Sequence, residues 1–137
     1  MKLTPSTEQD VEQLTEWIKA DEYHKDVLNP HWWLTGNGLL SFRLEDSKGV
    51  AMYVRLDRDE DLLRMNFQFA PPEVVSKMRV ARTLLWIVPK MRVIADQNQL
   101  KGLIFRSRSP NLVTFGQVAF SFVPVENNDY KLMFEVN

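Results

Sequence analysis

The residues best placed to do chemistry are three cations, Lys77, Arg79 and Arg82. They fall where a strand-like run, Leu63-Arg64-Met65-Asn66-Phe67-Gln68-Phe69, passes through Ala70-Pro71-Pro72 into a long helical pattern. The first N–H groups of a helix lack intrahelical acceptors, and the helix dipole favours an anion there. Cations at such a point suit a phosphate-bearing ligand. They belong to a wider basic block: Lys77, Arg79, Arg82, Lys90, Arg92, Lys101, Arg106 and Arg108 face only Asp96 between residues 74 and 108. Residues 1–62 carry 7 Lys+Arg against 13 Asp+Glu, and the remainder carries 10 against 5. The block serves equally well as a solvated helix face with charged strand ends, so both readings stand.

Other chemistries have less support. The chain has no cysteine, which excludes a disulfide framework, a thiol nucleophile and thiolate metal ligands. His24 and His31 are the only histidines, and no carboxylates flank them at metal-ligand spacing, so no metal site is expected. There is no G-x-S-x-G, Walker or G-x-G-x-x-G pattern. Trp32 and Trp33 could line a ligand pocket, but adjacent tryptophans more often plug the end of a core. Trp86 falls mid-helix, where it packs rather than stacks on bases, so a nucleic-acid partner is not expected.

The surrounding pattern says what must position these residues. A helix from about Glu73 to Asp96 follows the Leu63–Phe69 strand, and Gly102-Leu103-Ile104-Phe105 reads as a second strand. Strand–helix–strand in this order makes the two strands parallel neighbours. Pro89 inside the helix should kink it or split it. Upstream, Met1–Leu3 reads as a short strand. Ser6-Thr7-Glu8-Gln9 has the form of a capping box before a helix over about Thr7–Ala20. A second short helix is expected over Asp21–Leu28, then an aromatic loop over His31–Gly38. Leu40-Phe42-Leu44 and Val50-Met52-Val54-Leu56 alternate with polar residues, so with Leu63–Phe69 they form an antiparallel meander. Ser109-Pro110-Asn111 starts a short helix, and a hairpin over Phe120–Val125 and Tyr130–Val136 closes the chain. The expected core is Trp17, Leu40, Phe42, Met52, Val54, Met65, Phe67, Leu85, Ile104, Phe120 and Phe134.

At 137 residues, with 45% hydrophobic and 26% charged, the chain suits a single domain. No apolar run approaches the length of a membrane span, and Met1–Pro5 has no signal-peptide core, so a cytoplasmic location is the default.

This order of elements resembles the GNAT (Gcn5-related N-acetyltransferase) superfamily over nearly the whole chain. The tail resembles it most: Asn111–Phe120 looks like the family's short helix followed by Gly-Phe, with Ala119 in the glycine's place. Val123-Pro124-Val125 through Tyr130–Phe134 looks like its closing hairpin. Small GNAT-like proteins of tailed phages are similar in length and in this tail. The resemblance implies an α/β (α+β) fold with a mixed, twisted sheet of six or seven strands and helices on both faces. The two parallel strands should diverge at their C-terminal ends. It implies acetyl-CoA between those strands near Phe67, Phe69 and Ala70, with Asn111 and Phe115 alongside. The family's cradle pattern, [RQ]-x-x-G-x-[GA], matches Ser76-Lys77-Met78-Arg79-Val80-Ala81, where only Ala81 conforms and Arg79 replaces the key glycine. Lys77, Arg79 and Arg82 could then grip phosphates with their side chains, beside Val80 and Ala81. The tyrosine that often serves as general acid falls at Phe115, which has no proton to donate. Asn66 and Gln68 stand where a base is often found, and neither titrates. Glu73, Tyr53 and Tyr130 are the remaining catalytic candidates, and Glu73 also suits a first-turn acid complementing the helix dipole. The resemblance implies an acyl-CoA-dependent N-acyltransferase acting on a small-molecule or peptide amine. The alternative is a non-catalytic binding or structural module of the same fold. Whether a homodimer forms is left open.

Overall fold

The computed structural model describes residues 1–26, 29–34 and 40–134. Among these, seven strands form one sheet in the order β1-β2-β3-β4-β5-β7-β6. The strands are β1 (Lys2–Pro5), β2 (Leu40–Asp46), β3 (Gly49–Asp59), β4 (Leu62–Phe69), β5 (Gly102–Arg106), β6 (Val123–Pro124) and β7 (Asp129–Met133). The helices are α1 (Val11–Ala20), α2 (Lys77–Gln97) and α3 (Pro110–Phe120). β1 to β4 are antiparallel neighbours, and β4 and β5 are the parallel pair.

The sheet alternation seen in the sequence sorts the core onto two faces. Met52, Val54, Leu56, Leu63, Met65, Leu103 and Phe105 pack under α2 and α3. Tyr53 and Ala70 pack with Leu14, Trp17 and Ile18 of α1 and with Trp33. Trp33 thus plugs the core, while Trp32 stays 39% exposed. Of the expected core, Trp17, Met52, Val54, Met65 and Ile104 are buried, and Phe42, Phe67, Phe120 and Phe134 are partly buried against it.

Several local expectations need correction. Leu40 is 44% and Leu85 53% exposed, so neither is core. The buried face of α2 is Leu84, Ile87, Val88, Met91 and Ala95, and Leu85 lies about 100° round from Leu84. The helix begins at Lys77 because Ser76 caps it, so Glu73 precedes it and does not lie in its first turn. α2 runs unbroken through Pro89, which sits on its exposed side. The N-terminal capping box lies one residue later than expected: the Thr7 N–H donates to Asp10 Oδ2 at 2.8 Å. Glu22–Asp26 forms turns rather than a helix; Val27, Leu28, Thr35–Leu39 and the last residues of the expected closing strand lie outside the described residues.

Candidate functional site

The site is set by how β4 leaves β5. Their pairing runs Leu62–Gly102, Leu63–Leu103 and Arg64–Ile104, then stops, although β4 continues to Phe69 and β5 to Arg106. The strands therefore part at their C-terminal ends, as the resemblance implied. The other edge of β4 stays paired with β3 to the end of the strand. The Ala70 N–H donates to Ala51 O at 3.2 Å, which fixes the alternation along this ladder. Residues 66, 68 and 70 turn their backbone groups to β3, so Phe67 and Phe69 turn theirs into the gap. Ala70 itself has no free N–H.

The gap leads to the start of α2. Ser76 accepts the Arg79 N–H on its Oγ at 3.1 Å and the Val80 N–H on its carbonyl at 3.0 Å. The N–H groups of Lys77 and Met78 are left without intrahelical acceptors. Lys77 and Arg82 are exposed, and Val80 and Ala81 are half-buried. Arg79 is placed differently from the expectation of a phosphate grip. Its Nε and Nη2 donate to Asp46 at 2.6 and 2.8 Å, and Nη2 also donates to Gly49 O at 3.1 Å. The guanidinium is buried and ties α2 to the β2–β3 turn. Its hydrogen bonds hold the Asp46 carboxyl below the usual carboxylate range. On this flank a cavity of about 390 Å³ is lined by Lys48, Ser76, Met78, Arg79 and Arg82 among others. It opens beside the helix start, not between the splayed strands.

Behind the gap, the α2–α3 side of the sheet is filled. Phe67, Phe105, Phe115, Phe120 and Phe122 close around a void of about 20 Å³, room for about one water. Phe105 and Phe122 meet edge to face at 5.0 Å, and Phe115 meets Phe120 at 5.9 Å. Gly116 permits this approach, since a Cβ there would lie 3.2 Å from Phe105 Cζ. Asn111 is exposed on the first turn of α3. The apolar cleft behind the gap is thus nearly filled, whereas the strand edge and the helix opening lie outside it.

The titratable candidates are scattered. Glu73 is exposed in the loop before α2. Tyr53 is buried under α1, with its hydroxyl 3.0 Å from Asp10 Oδ1 and 2.7 Å from Gln13 Oε1. Burial, then the Asp10 bond, pushes its pKa well above that of an ordinary tyrosine. Tyr130 lies opposite Phe105 on β7 with the rings stacked at 5.5 Å.

Sequence spacing hid one grouping. His24 Nδ1 lies 2.7 Å from Gln68 Oε1 and 3.3 Å from Asp21 Oδ2. Gln68 is fully buried, and its Nε2 donates to Asp21 Oδ2 at 3.1 Å and Phe69 O at 3.0 Å. The Asp21–His24 spacing of three was readable, but its convergence with Gln68, 44 positions on, needed the fold.

No family model matches this chain, and no curated protein matches it. Solved structures do. The ribosomal-protein-S18-alanine N-acetyltransferase of Escherichia coli aligns over 99% of this chain and 95% of its own, at 11% identity and TM-score 0.68. An acetyltransferase of the GNAT family from Staphylococcus aureus aligns over 98% and 99%, at 12% identity and TM-score 0.66. A GNAT family acetyltransferase from Brucella melitensis, in complex with acetyl-CoA, aligns over 99% and 89%, at 9% identity and TM-score 0.60. With β4 and β5 parallel and parting, and with both chains covered almost end to end, this protein has the GNAT acetyltransferase fold.

Proposed function

We infer that the chain is an acyl-CoA-dependent N-acyltransferase that holds its thioester along the free edge of β4. The observation that carries this is the splay itself. Phe67 and Phe69 direct backbone groups into a gap that ends at the uncapped N–H groups of Lys77 and Met78. An amide-bearing pantetheine arm can pair with the first, and a pyrophosphate can sit on the second. Lys77 and Arg82 are exposed cations in the opening turns of α2; Arg79 acts through Asp46 instead. Bound there, an acyl-CoA supplies an activated acyl carbon, and holding an amine against it contributes much of the rate. The solved neighbours, two of them described with acetyl-CoA or coenzyme A, support this reading.

A second reading has its own observation. The ring cluster behind the gap leaves about 20 Å³, and the glycine of the family's cradle is Arg79 here. Both suit a module that keeps the fold and has given up the cofactor. Calorimetry and thermal melts with acetyl-CoA separate the two. At about a hundred times Kd, binding stabilises the fold by about 2.7 kcal/mol. No heat and no melting shift at millimolar acetyl-CoA would leave the second reading.

A further inference from the structure

We propose that His24 is the general base of the transfer, its ring set by Gln68 and Asp21. This rests on the acyltransferase reading above, and it gives that reading the titrating group absent from β4 itself. Gln68 Nε2 is surrounded by oxygens: Asp21 Oδ2 at 3.1 Å, Phe69 O at 3.0 Å and Trp17 O at 3.5 Å. All three accept, so the amide cannot be turned round, and its Oε1 must be the atom that meets His24. An acceptor at 2.7 Å requires His24 Nδ1 to carry a proton. Asp21 Oδ2, at 3.3 Å, favours the same tautomer. The neutral ring then presents Nε2 as a bare lone pair, the atom a general base uses.

The ring is also in the right place. Gln68 belongs to the splayed end of β4, between the residues whose backbone faces the gap. The same turn touches the loop that follows β5, where Arg108 Nη2 donates to Tyr23 O at 3.4 Å. The Glu22–Asp26 turn therefore contacts the end of β4 and the loop after β5, on the α1 face opposite the filled cleft. The His24 side chain is 38% exposed there. Among the described residues no hydrogen bond reaches its Nε2. In this proposal the amine arrives from this face, on which the His24 side chain is exposed.

The protons balance. An ammonium substrate loses two: one to His24 Nε2 and onward to solvent, the other to the departing thiolate. The nitrogen pair forms the C–N bond while the C–S bond breaks and its pair leaves on sulfur. Asp21 stabilises the imidazolium that forms.

Two measurements on the unmodified chain test this without reading activity. Ring-nitrogen NMR should show His24 protonated at Nδ1 near neutral pH; the opposite tautomer overturns the proposal whether or not acetyl-CoA binds. Bromoacetyl-CoA should then alkylate His24, the C–N bond forming at Nε2 as bromide leaves, and excess CoA should protect it. Peptide mass spectrometry reads the site. Calorimetric binding of acetyl-CoA with alkylation elsewhere, or none, overturns His24 and leaves the acyltransferase reading intact. Absence of any acetyl-CoA binding overturns both. His24→Gln should lower kcat/KM for an alkylamine by about 10²–10⁴-fold, with the KM for acetyl-CoA unchanged. An arylamine, neutral before it arrives, should be spared most of that loss; an equal loss for both amines would mean a merely structural role.

Discussion

Asp46→Ala tests the reassignment of Arg79 from ligand grip to structural tie. The Arg79 and Asp46 side chains are 9% and 15% exposed, and their contact is doubly bonded at 2.6 and 2.8 Å. Removing the carboxylate leaves a buried guanidinium whose remaining acceptors, among the described residues, are the carbonyls Gly49 O at 3.1 Å and Val74 O at 3.4 Å. Breaking a buried pair from one side costs about 3–5 kcal/mol. For a chain of this size that lowers Tm by roughly 10–20 °C. The pH dependence follows from the direction of the shift. Asp46 is held below its ordinary value in the folded state, so its contribution is complete above the unfolded pKa of about 3.9 and is lost as pH falls through the lower folded value. Thermal melts between pH 7 and pH 3 read both effects. The wild type should lose part of its advantage over Asp46→Ala in acid. Melting within about 1 kcal/mol of wild type at pH 7 would refute the tie.

Gly102→Ala should destabilise by more than an ordinary surface change, since its Cβ would lie 2.5 Å from the Leu132 carbonyl oxygen; chemical denaturation against wild type reads the loss. Tyr53→Phe should cost about 0.5–1.5 kcal/mol by removing the hydroxyl shared between Asp10 and Gln13, measured by urea unfolding. Met65→Ala should cost about 2–5 kcal/mol and exceed Phe67→Ala, because Met65 is 2% exposed and Phe67 only partly buried. Equal midpoints for those two variants would show that the burial ranking along β4 is wrong.

Much of the frame was legible because it rests on local rules. The alternation in Val50–Leu56 and Leu63–Phe69 set the meander, and the helix after Pro71-Pro72 forced β5 to lie parallel to β4. Ser109-Pro110 opened α3 as read, with Ser109 Oγ accepting the Leu112 N–H at 3.4 Å. The phase of α2 was harder. Apolar residues occur widely around this helix, and packing under the sheet buries Leu84, Ile87, Val88 and Met91 while leaving Met78 and Leu85 exposed. The site was least legible where charge meets charge across long separations. Arg79 finds Asp46 33 positions upstream, and no local pattern announces that partner. Asp129, likewise, gathers Arg64 and Arg106 from two strands. Its burial opposes ionisation, but those two guanidinium bonds outweigh it and hold the carboxyl below the usual range.

The free edge of β4 is the point on which the functional reading turns, and amide hydrogen exchange reads it residue by residue. The Phe67 and Phe69 N–H groups face the gap, whereas those of Asn66 and Gln68 belong to the β3 ladder. Without ligand, the first pair should exchange faster than the second. At saturating acetyl-CoA, protection should rise at Phe67 and Phe69, and at Lys77 and Met78, by about tenfold or more for each 1.4 kcal/mol of local stabilisation. Unchanged protection at these four amides, with binding verified by calorimetry, would contradict the account and place the ligand elsewhere on the protein.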